Sequence, residues 1–152
     1  MSAAWIAQLD LLIRSRTPIL WIRQQEEERL VRLLQQVAQG LEQRPLLRWD
    51  FVAGLQGLPN HVGAAARQPL AALDSLDLLP SGNPGLLLLL DFHRFVDDSA
   101  ICRRLRNLAV ELCQQPRTLV IAAPDLQLPR ELEVTVTVLE LPLPDATEIR
   151  AL

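Results

Sequence analysis

Four side chains that could bind a metal ion lie close together in the sequence, at Asp91, His93, Asp97 and Asp98. Carboxylate and imidazole groups are ligands for divalent cations, and the Asp-x-His spacing could support one. The same residues also fit a loop leading into a helix, because Asp97, Asp98 and Ser99 are all residue types that cap helix N-termini. Capping is the favoured interpretation, so the sequence predicts no bound metal and keeps the four residues as candidate ligands.

Three arginines, Arg103, Arg104 and Arg106, lie on the polar side of a predicted helix. They are candidates for contact with a partner protein, whereas the favoured interpretation is a solvated face that pairs with acids such as Glu111. All 15 basic residues of the chain are arginine. The absence of lysine excludes Schiff-base chemistry, a phosphate-clamping lysine and a lysine general base.

The two cysteines, Cys102 and Cys113, are predicted to lie in that same helix, about 16 Å apart at about 1.5 Å per residue. A disulfide needs Cα atoms within about 7 Å, so both are expected to be reduced, as in a cytosolic or stromal compartment. We expect the two cysteine thiols to be small buried or half-buried groups rather than nucleophiles. Ser75 and Ser81 lack a nucleophile elbow, and the sequence therefore predicts no catalytic residue.

The composition is that of one folded domain, with 152 residues, 49% hydrophobic and 22% charged. The net charge of −3 gives no basic face for nucleic acid. The longest apolar run, Leu86 to Leu90, is too short to span a bilayer. Nucleic acid and membrane are therefore excluded as expected partners.

Hydrophobic spacing predicts alternating helices and strands that would position these groups. Because such alternation favours parallel pairing with right-handed crossovers, we expect a three-layer α/β fold with a five-stranded parallel sheet. The predicted helices are 4–15, 26–41, a short one over 69–79 and 100–115, the last of which Ser99 could cap in competition with Asp97 and Asp98. The predicted strands are 19–22, 46–51, 86–90, 118–122 and 134–139. The Gly- and Pro-rich residues 54–67 are predicted to be a loop, and Asp145 or Thr147 could begin a further helix.

Two stretches resemble AAA-type ATPases. Leu86 to Asp91, an apolar run closed by an acid, resembles a Walker B strand, and Val138 to Arg150 resembles the end of the last core strand leading into the lid. More narrowly, the chain resembles the N-terminal half of divergent AAA proteins of chloroplasts and cyanobacteria, the hypothetical chloroplast reading frame forty-six family. The stretches that carry this resemblance are Leu11-Leu12-Ile13-Arg14-Ser15-Arg16-Thr17-Pro18, Glu26-Glu27-Glu28-Arg29, Leu90-Asp91-Phe92-His93-Arg94-Phe95-Val96-Asp97-Asp98 and Arg103-Arg104-Leu105-Arg106.

The resemblance implies the strand order 5-1-4-3-2 and one degenerate AAA-like domain over residues 1–152, an N-terminal fragment of a longer protein that ends at the start of the lid. The missing second half would carry the intact ATPase core, with ATP and Mg²⁺ as its cofactors, and would be the first expected partner. A homo-oligomer is an open alternative. The cytoplasm of a cyanobacterium or the plastid stroma is the expected location.

The resemblance also implies that this chain lacks several catalytic motifs of the family. A P-loop needs G-x-x-x-x-G-K-[ST], whereas Arg23 to Arg29 contains neither glycine nor lysine. Glu26, Glu27 and Glu28 occupy the turn where a phosphate would dock, and like charges about 4 Å apart repel by about 4 kcal/mol near a protein surface. Phe92 stands where the family has a water-orienting glutamate, and Ala122-Ala123-Pro124 offers no polar sensor. Asp91 would be a remnant of the Walker B acid.

These features predict a non-catalytic regulatory or protein-interaction domain of a divergent AAA-type ATPase, with no cofactor of its own. One alternative is a nucleotide- or Mg²⁺-dependent phosphate enzyme, or a nucleotide sensor, that uses Asp91. Another is a receiver-like signalling domain with acids at its strand ends, Asp50 and Asp91. Such a domain needs a lysine for its switch, which this chain lacks.

Overall fold

The computed structural model describes residues 2–144, which alternate between helices and strands for most of their length. The helices are α1 (Ser2–Arg14), α2 (Glu27–Gly40), α3 (Pro69–Ala72) and α4 (Ser99–Leu112), and the strands are β1 (Ile19–Arg23), β2 (Leu46–Asp50), β3 (Gly54–Gln56), β4 (Gly85–Leu90), β5 (Arg117–Ala123) and β6 (Thr137–Glu140). Short 3₁₀ turns cover Ser75–Leu78, Phe92–Arg94 and Arg130–Leu132. The helix predicted to begin at Asp145 or Thr147 lies outside the described residues.

The strands form a single sheet in the order β3-β2-β4-β5-β1-β6. All neighbouring strands pair in parallel except β2 and β3, which are antiparallel. The order of the five predicted strands, 5-1-4-3-2, is confirmed, because it corresponds to β6-β1-β5-β4-β2. The prediction of a five-stranded, wholly parallel sheet is wrong, since β3 adds a sixth, antiparallel strand at the edge.

The central strand β4 shows why the fold has three layers. All six of its residues are buried. Leu87 and Leu89 join an apolar cluster with α3 and α4, whereas Leu86, Leu88 and Leu90 join a second cluster with α1 and α2. A parallel strand covered by helices on both faces reads as a continuous apolar run rather than an alternating one. Burial of each leucine stabilises the fold by about 1.5–3 kcal/mol.

The sequence did not predict the hairpin of β2 and β3 because β3 begins at Gly54, in a stretch rich in glycine and proline that is typical of loops. One Asp50 carboxylate oxygen accepts hydrogen bonds from the N–H groups of Val52 and Ala53, at 2.9 and 2.7 Å, and closes the turn. Gly54 then adopts a φ of +74°. Its Cα lies so close to Gly63 that an added Cβ would be 2.7 Å from the Gly63 carbonyl carbon. The prediction of a loop over 54–67 therefore fails at its first residues.

Two other predicted elements are also different in the structure. The last strand is Thr137–Glu140 rather than 134–139, because the N–H groups of Thr135 and Val136 both donate to the Leu132 carbonyl and continue a turn. Val134 is 98% exposed and lies outside β6. Its β-branched side chain has a preference for strands, and that preference alone led to the wrong start of the predicted strand. The helix predicted over 69–79 is divided into α3 and the 3₁₀ turn Ser75–Leu78.

The close approach at the hairpin predicts a matched pair of glycine variants. Gly54→Ala should lower the free energy of unfolding by about 1–3 kcal/mol, because Ala disfavours a positive φ and its Cβ would collide with Gly63. Gly40→Ala, at the end of α2, meets no atom within 4 Å and should leave stability unchanged or raise it by up to about 1 kcal/mol. Urea unfolding measures both, and equal midpoints for the two variants would contradict the prediction.

Candidate functional site

The segment between β1 and α2 lies at the carboxyl edge of the sheet and is held on both sides by backbone hydrogen bonds. The Gln24 N–H donates to the Ala123 carbonyl at 2.9 Å, and the Leu141 N–H donates to the Arg23 carbonyl at 3.0 Å. These bonds continue the pairing of β1 with β5 and β6 beyond the end of β1. The segment lines a surface cavity of about 460 Å³ together with residues 140–143.

Arg29 was missed by the sequence reasoning, and it is the buried charge of this segment. Its guanidinium donates to the Glu26 carboxylate at 3.1 Å and to the Pro142 carbonyl at 2.6 Å. A buried guanidinium is stable only when such acceptors surround it. Arg29 therefore ties the start of α2 to the chain that leaves β6. The only sequence signal was its position next to Leu30, at the edge of the apolar stripe.

The three glutamates of the predicted acidic turn lie at the start of α2. Glu26, Glu27 and Glu28 are all exposed. The helix has no side-chain hydrogen bond at its N-cap, so these acids stabilise its first turn mainly through the helix dipole. The acidic turn thus lies after β1, and the structure adds that its three carboxylates are exposed.

A second depression, of about 350 Å³, lies at the carboxyl ends of β2 and β4, next to α2. We call it the acidic–aromatic cleft. It is lined by Glu27, Arg48, Asp50, Phe51, Val52, Leu90, Asp91, Arg94 and Phe95. Parallel strands bring residues distant in sequence together at this edge, which is where open α/β sheets bind their ligands.

Asp91 follows β4 directly and has a strained backbone. Its φ is +57°, in the left-handed region that Asp and Asn tolerate better than most residues. Its N–H donates to the Ala122 carbonyl at 3.2 Å, and its side chain is exposed. Among the described residues, its carboxylate forms no hydrogen bond or ion pair. Asp91, which the resemblance interprets as a remnant Walker B acid, is therefore available to a ligand.

Glu27 faces the same cleft from the first turn of α2. Burial, and next the charge of Asp91, raise the pKa of the Glu27 carboxyl above its ordinary value. Asp50 and Glu28 add to this effect, while the Arg48 guanidinium opposes it. The raised pKa therefore reflects partial burial first and the neighbouring carboxylates second.

One side of the cleft is aromatic. The rings of Phe51 and Phe95 stack with centroids 5.3 Å apart, and Phe95 meets Phe92 edge-to-face at 5.6 Å. Phe92 is fully buried and also packs against Trp49 at 5.7 Å. The residue at the position of the family's water-orienting glutamate is therefore part of the core.

The structure separates the four candidate metal ligands. Asp98 caps α4, accepting hydrogen bonds from the N–H groups of Ala100 and Ile101 at 2.9 and 3.1 Å, so of the three candidate caps Asp98 rather than Ser99 or Asp97 fills the position. Asp97 and Asp91 are exposed and His93 is half-buried. Within residues 2–144, no group of three or more His, Cys, Asp or Glu side chains could hold a metal ion.

The three candidate arginines of α4 have different environments. Arg104 pairs within the domain, with Asp74 at 2.6 Å and with Glu111 at 3.1 Å. Arg103 and Arg106 are exposed and line another depression, of about 360 Å³, beside the half-buried Cys102 thiol. Arg103 and Arg106 therefore remain open to a partner, whereas Arg104 connects α4 to the 3₁₀ turn region. Cys113 is free and exposed rather than buried.

Comparison with known proteins identifies the family. The family described as the SpoVK-like AAA ATPase N-terminal domain matches residues 5–141. The chain belongs to this family. It is also 40% identical over 147 residues to the AAA domain-containing protein ycf46 of Guillardia theta, and 40% identical over 142 residues to that of Trieres chinensis. The resemblance drawn from the sequence is thus confirmed.

These alignments cover most of this chain but a small part of the relatives. They include 97% and 93% of this chain, and 29% of each relative. Among solved structures, a chain in the Drosophila origin recognition complex bound to AT-rich DNA and Cdc6 is similar, with a TM-score of 0.49 and 16% identity over 91% of this chain and 53% of that chain. As for membranes, the part of this chain with described structure has no helix that is long and apolar enough to cross one.

The raised pKa of Glu27 predicts a pH-dependent stability difference. Because the folded chain binds this proton more tightly than the unfolded chain, stability falls as pH rises from the unfolded pKa through the raised folded pKa. Glu27→Gln should therefore melt at a higher temperature than Glu28→Gln at pH 7, with the difference shrinking at about pH 4. Both variants lose the same helix-dipole interaction. Thermal unfolding followed by circular dichroism checks this, and a difference that is independent of pH would contradict it.

Proposed function

We propose that this chain is a non-catalytic regulatory and protein-interaction domain of a divergent AAA-type ATPase. The observation that supports this most directly is the segment between β1 and α2. A phosphate-binding loop presents free backbone N–H groups and a cation to its ligand. Here the Gln24 N–H is bonded to Ala123, and the Arg29 guanidinium is bonded to Glu26 and Pro142.

Electrostatics at this segment oppose nucleotide phosphates. Glu26, Glu27 and Glu28 are exposed around the first turn of α2, where a triphosphate would approach. Each close pair of like charges costs about 4 kcal/mol at a surface dielectric near 20. The helix dipole returns only about 0.3–1 kcal/mol for an anion at an exposed N-terminus. The net balance therefore excludes ATP from this position.

The two positions that would activate water for ATP hydrolysis also carry no suitable side chain. Phe92 is buried against Trp49 at the position of the family's glutamate. Ala122 and Ala123 are buried and apolar at the end of β5. A general base must lie within about 3 Å of the attacking water, and neither segment contains one.

In the proposed parent protein, ATP and Mg²⁺ bind to a second, intact ATPase half, which is the first partner of this domain. The chain spans 29% of the length of the ycf46 relatives, which leaves room for that half in proteins of their size. The relatives come from algae, which favours the plastid stroma, or the cytoplasm of a cyanobacterium for bacterial members.

A nucleotide or Mg²⁺ sensor that uses Asp91 is the second candidate function. It is favoured by one observation, the exposed Asp91 carboxylate that forms no bond among the described residues. The receiver-like alternative has less support, because one Asp50 oxygen already accepts two backbone hydrogen bonds and no lysine is present.

The proposed function predicts that the purified chain neither binds nor hydrolyses nucleotide. Calorimetric titration with ATP and ADP in Mg²⁺, followed in parallel by the fluorescence of the buried Trp21, should show no saturable signal up to millimolar concentration. Phosphate release should equal that of a blank. Saturable binding that Asp91→Asn abolishes would contradict the proposal and support the sensor, and Asp97→Asn is the matched control.

A further inference from the structure

The guanidinium of Arg44 has no acceptor in the part of the chain that the structure describes. Arg44 lies in the connection between α2 and β2, at the amino edge of the sheet and opposite the edge that carries Asp91. Its side chain is half-buried, and its Nε and Nη1 atoms are enclosed without a hydrogen-bond partner among residues 2–144. A buried donor without an acceptor destabilises a protein, so an acceptor that arrives from outside would be bound favourably.

Another arginine at the same edge shows the usual arrangement. The Arg117 guanidinium, at the start of β5, donates to the carbonyls of Asn83 and Pro80 at 2.8 and 2.9 Å. At the opposite edge, Arg48 leaves one enclosed donor, its Nε atom, whereas Arg44 leaves two. Most buried polar groups in proteins are hydrogen-bonded, so two unpartnered donors on one side chain are an exception that needs an explanation.

Arg44 opens onto a surface depression of about 650 Å³, which we call the glutamine pocket. It is lined by Gln35, Ala38, Gln39, Gln43, Arg44 and Leu46. The three glutamines are exposed, and their side-chain amides form no hydrogen bond within the described residues. Each amide can donate as well as accept. Because Arg44 carries the only formal charge in this lining, the pocket favours an anion.

The backbone on both sides of Arg44 is held in place. The Arg44 N–H donates to the Ala38 carbonyl at 2.9 Å, and the Pro45 carbonyl accepts from the Leu86 N–H at 2.8 Å. The two residues before Arg44 have φ angles of +60° and +54°, in the left-handed region that disfavours residues other than glycine. Such a backbone persists only where the surrounding structure holds it. The guanidinium is therefore attached to a fixed main chain at the rim of the pocket.

The charges near Arg44 do not neutralise it by contact. Burial lowers the pKa of Arg44, and the positive charge of Arg14 comes next, whereas Glu42 and Asp10 oppose these effects. Asp10 is already paired with Arg14, and Glu42 is exposed and forms no ion pair with Arg44. The C-terminus of α2 attracts a cation through the helix dipole, yet its Ala38 carbonyl accepts backbone N–H groups rather than the guanidinium.

We propose that the glutamine pocket binds one carboxylate group, with Arg44 as its cation and the amides of Gln39 and Gln43 as further donors. A carboxylate carries one negative charge and matches the planar guanidinium, which can donate two parallel hydrogen bonds to it. A phosphate group carries about 1.5–2 negative charges near pH 7. One guanidinium would not neutralise it, and the nearby Glu42 and Asp10 would repel the excess. The inference goes beyond the proposed function and does not depend on it, because the pocket lies at the other edge of the sheet.

The test is a titration of the whole ¹⁵N-labelled chain at pH 7 with N-acetyl-glutamate amide, whose only ionised group is the side-chain carboxylate. Amide chemical shifts report binding, and we expect saturable shifts at residues 35–46. The neutral N-acetyl-glutamine amide should produce none, and inorganic phosphate should bind more weakly than the glutamate probe. Equal shifts with the glutamine probe, equal or tighter binding of phosphate, or no saturable shift at these residues would overturn the proposal.

Acetate distinguishes the two sources of a carboxylate. Tighter binding of the glutamate probe than of acetate would identify the ligand as an acidic side chain of a protein. Equal or tighter binding of acetate would identify it as a small free acid. Both results support a carboxylate site.

Variants of Arg44 locate the site. Arg44→Gln should weaken binding of the glutamate probe about tenfold or more, the loss expected for one hydrogen bond between charged groups. Arg44→Lys keeps the charge without the planar fork and should bind with intermediate affinity. Arg32→Gln, an exposed arginine of α2 outside the pocket, is the control and should leave binding unchanged. Equal affinities of Arg44→Gln and Arg32→Gln would overturn the assignment.

Unfolding in urea separates a binding role of Arg44 from a structural one. Since its guanidinium forms no bond within the described residues, Arg44→Gln should fold and should unfold at the same urea midpoint as Arg32→Gln. A clearly lower midpoint for Arg44→Gln would show that Arg44 serves the fold, and would overturn the proposal.

The outcomes also separate this inference from the proposed function. Nucleotide binding that Asp91→Asn abolishes would contradict the proposed function and leave the glutamine pocket untouched. Nucleotide binding that Arg44→Gln abolishes instead would place a phosphate in the pocket and overturn the choice of a carboxylate. Absence of both nucleotide and carboxylate binding would remove only the carboxylate site.

Discussion

The burial of β1, β4 and β5 on both faces is the constraint from which the other features of the domain follow. These strands form the centre of the sheet, and four of the five residues of β1 and all residues of β4 and β5 are buried. Polar groups cannot lie along such strands without losing their hydration. Most are therefore placed where the strands end, and the acidic turn after β1, Asp91 after β4 and Asp50 at the end of β2 all lie at the carboxyl edge.

The three tryptophans keep the segments at that edge in place. The indole N–H groups of Trp5, Trp21 and Trp49 donate to the carbonyls of Glu140, Asp125 and Ala65, at 3.0, 3.0 and 2.7 Å. Each tryptophan is buried, so each bond satisfies a polar group that would otherwise be costly. The same residues thus provide apolar volume to the core and fix the end of β6 and the chain after β5 and β3.

The central strands and their order could be predicted because their signals are local and strong, as the unbroken run Leu86–Leu90 illustrates. The elements at the two edges of the sheet could not be predicted in the same way. Gly54 and Val134 carry the residue preferences of a loop and a strand, yet the pairing with β2 and the turn at Leu132 override them. The cap at Asp98 depended on which of three adjacent candidates reached the α4 N–H groups. The cleft joins side chains from three separate elements, so only the sheet topology brings Glu27, Asp50 and Asp91 together.

Arg29 stabilises the segment that the resemblance places at the position of a P-loop. A nucleotide phosphate supplies negative charge from outside the protein, whereas Arg29 takes its acceptors, Glu26 and Pro142, from within the chain. The Arg29 guanidinium is buried but the Glu26 carboxylate is about half exposed, so solvent screens their attraction, and the bond to the Pro142 carbonyl is what connects α2 to the chain after β6. The apolar pattern that specifies the sheet is independent of these few residues. The contacts that hold this position therefore come from within the chain and do not depend on a nucleotide.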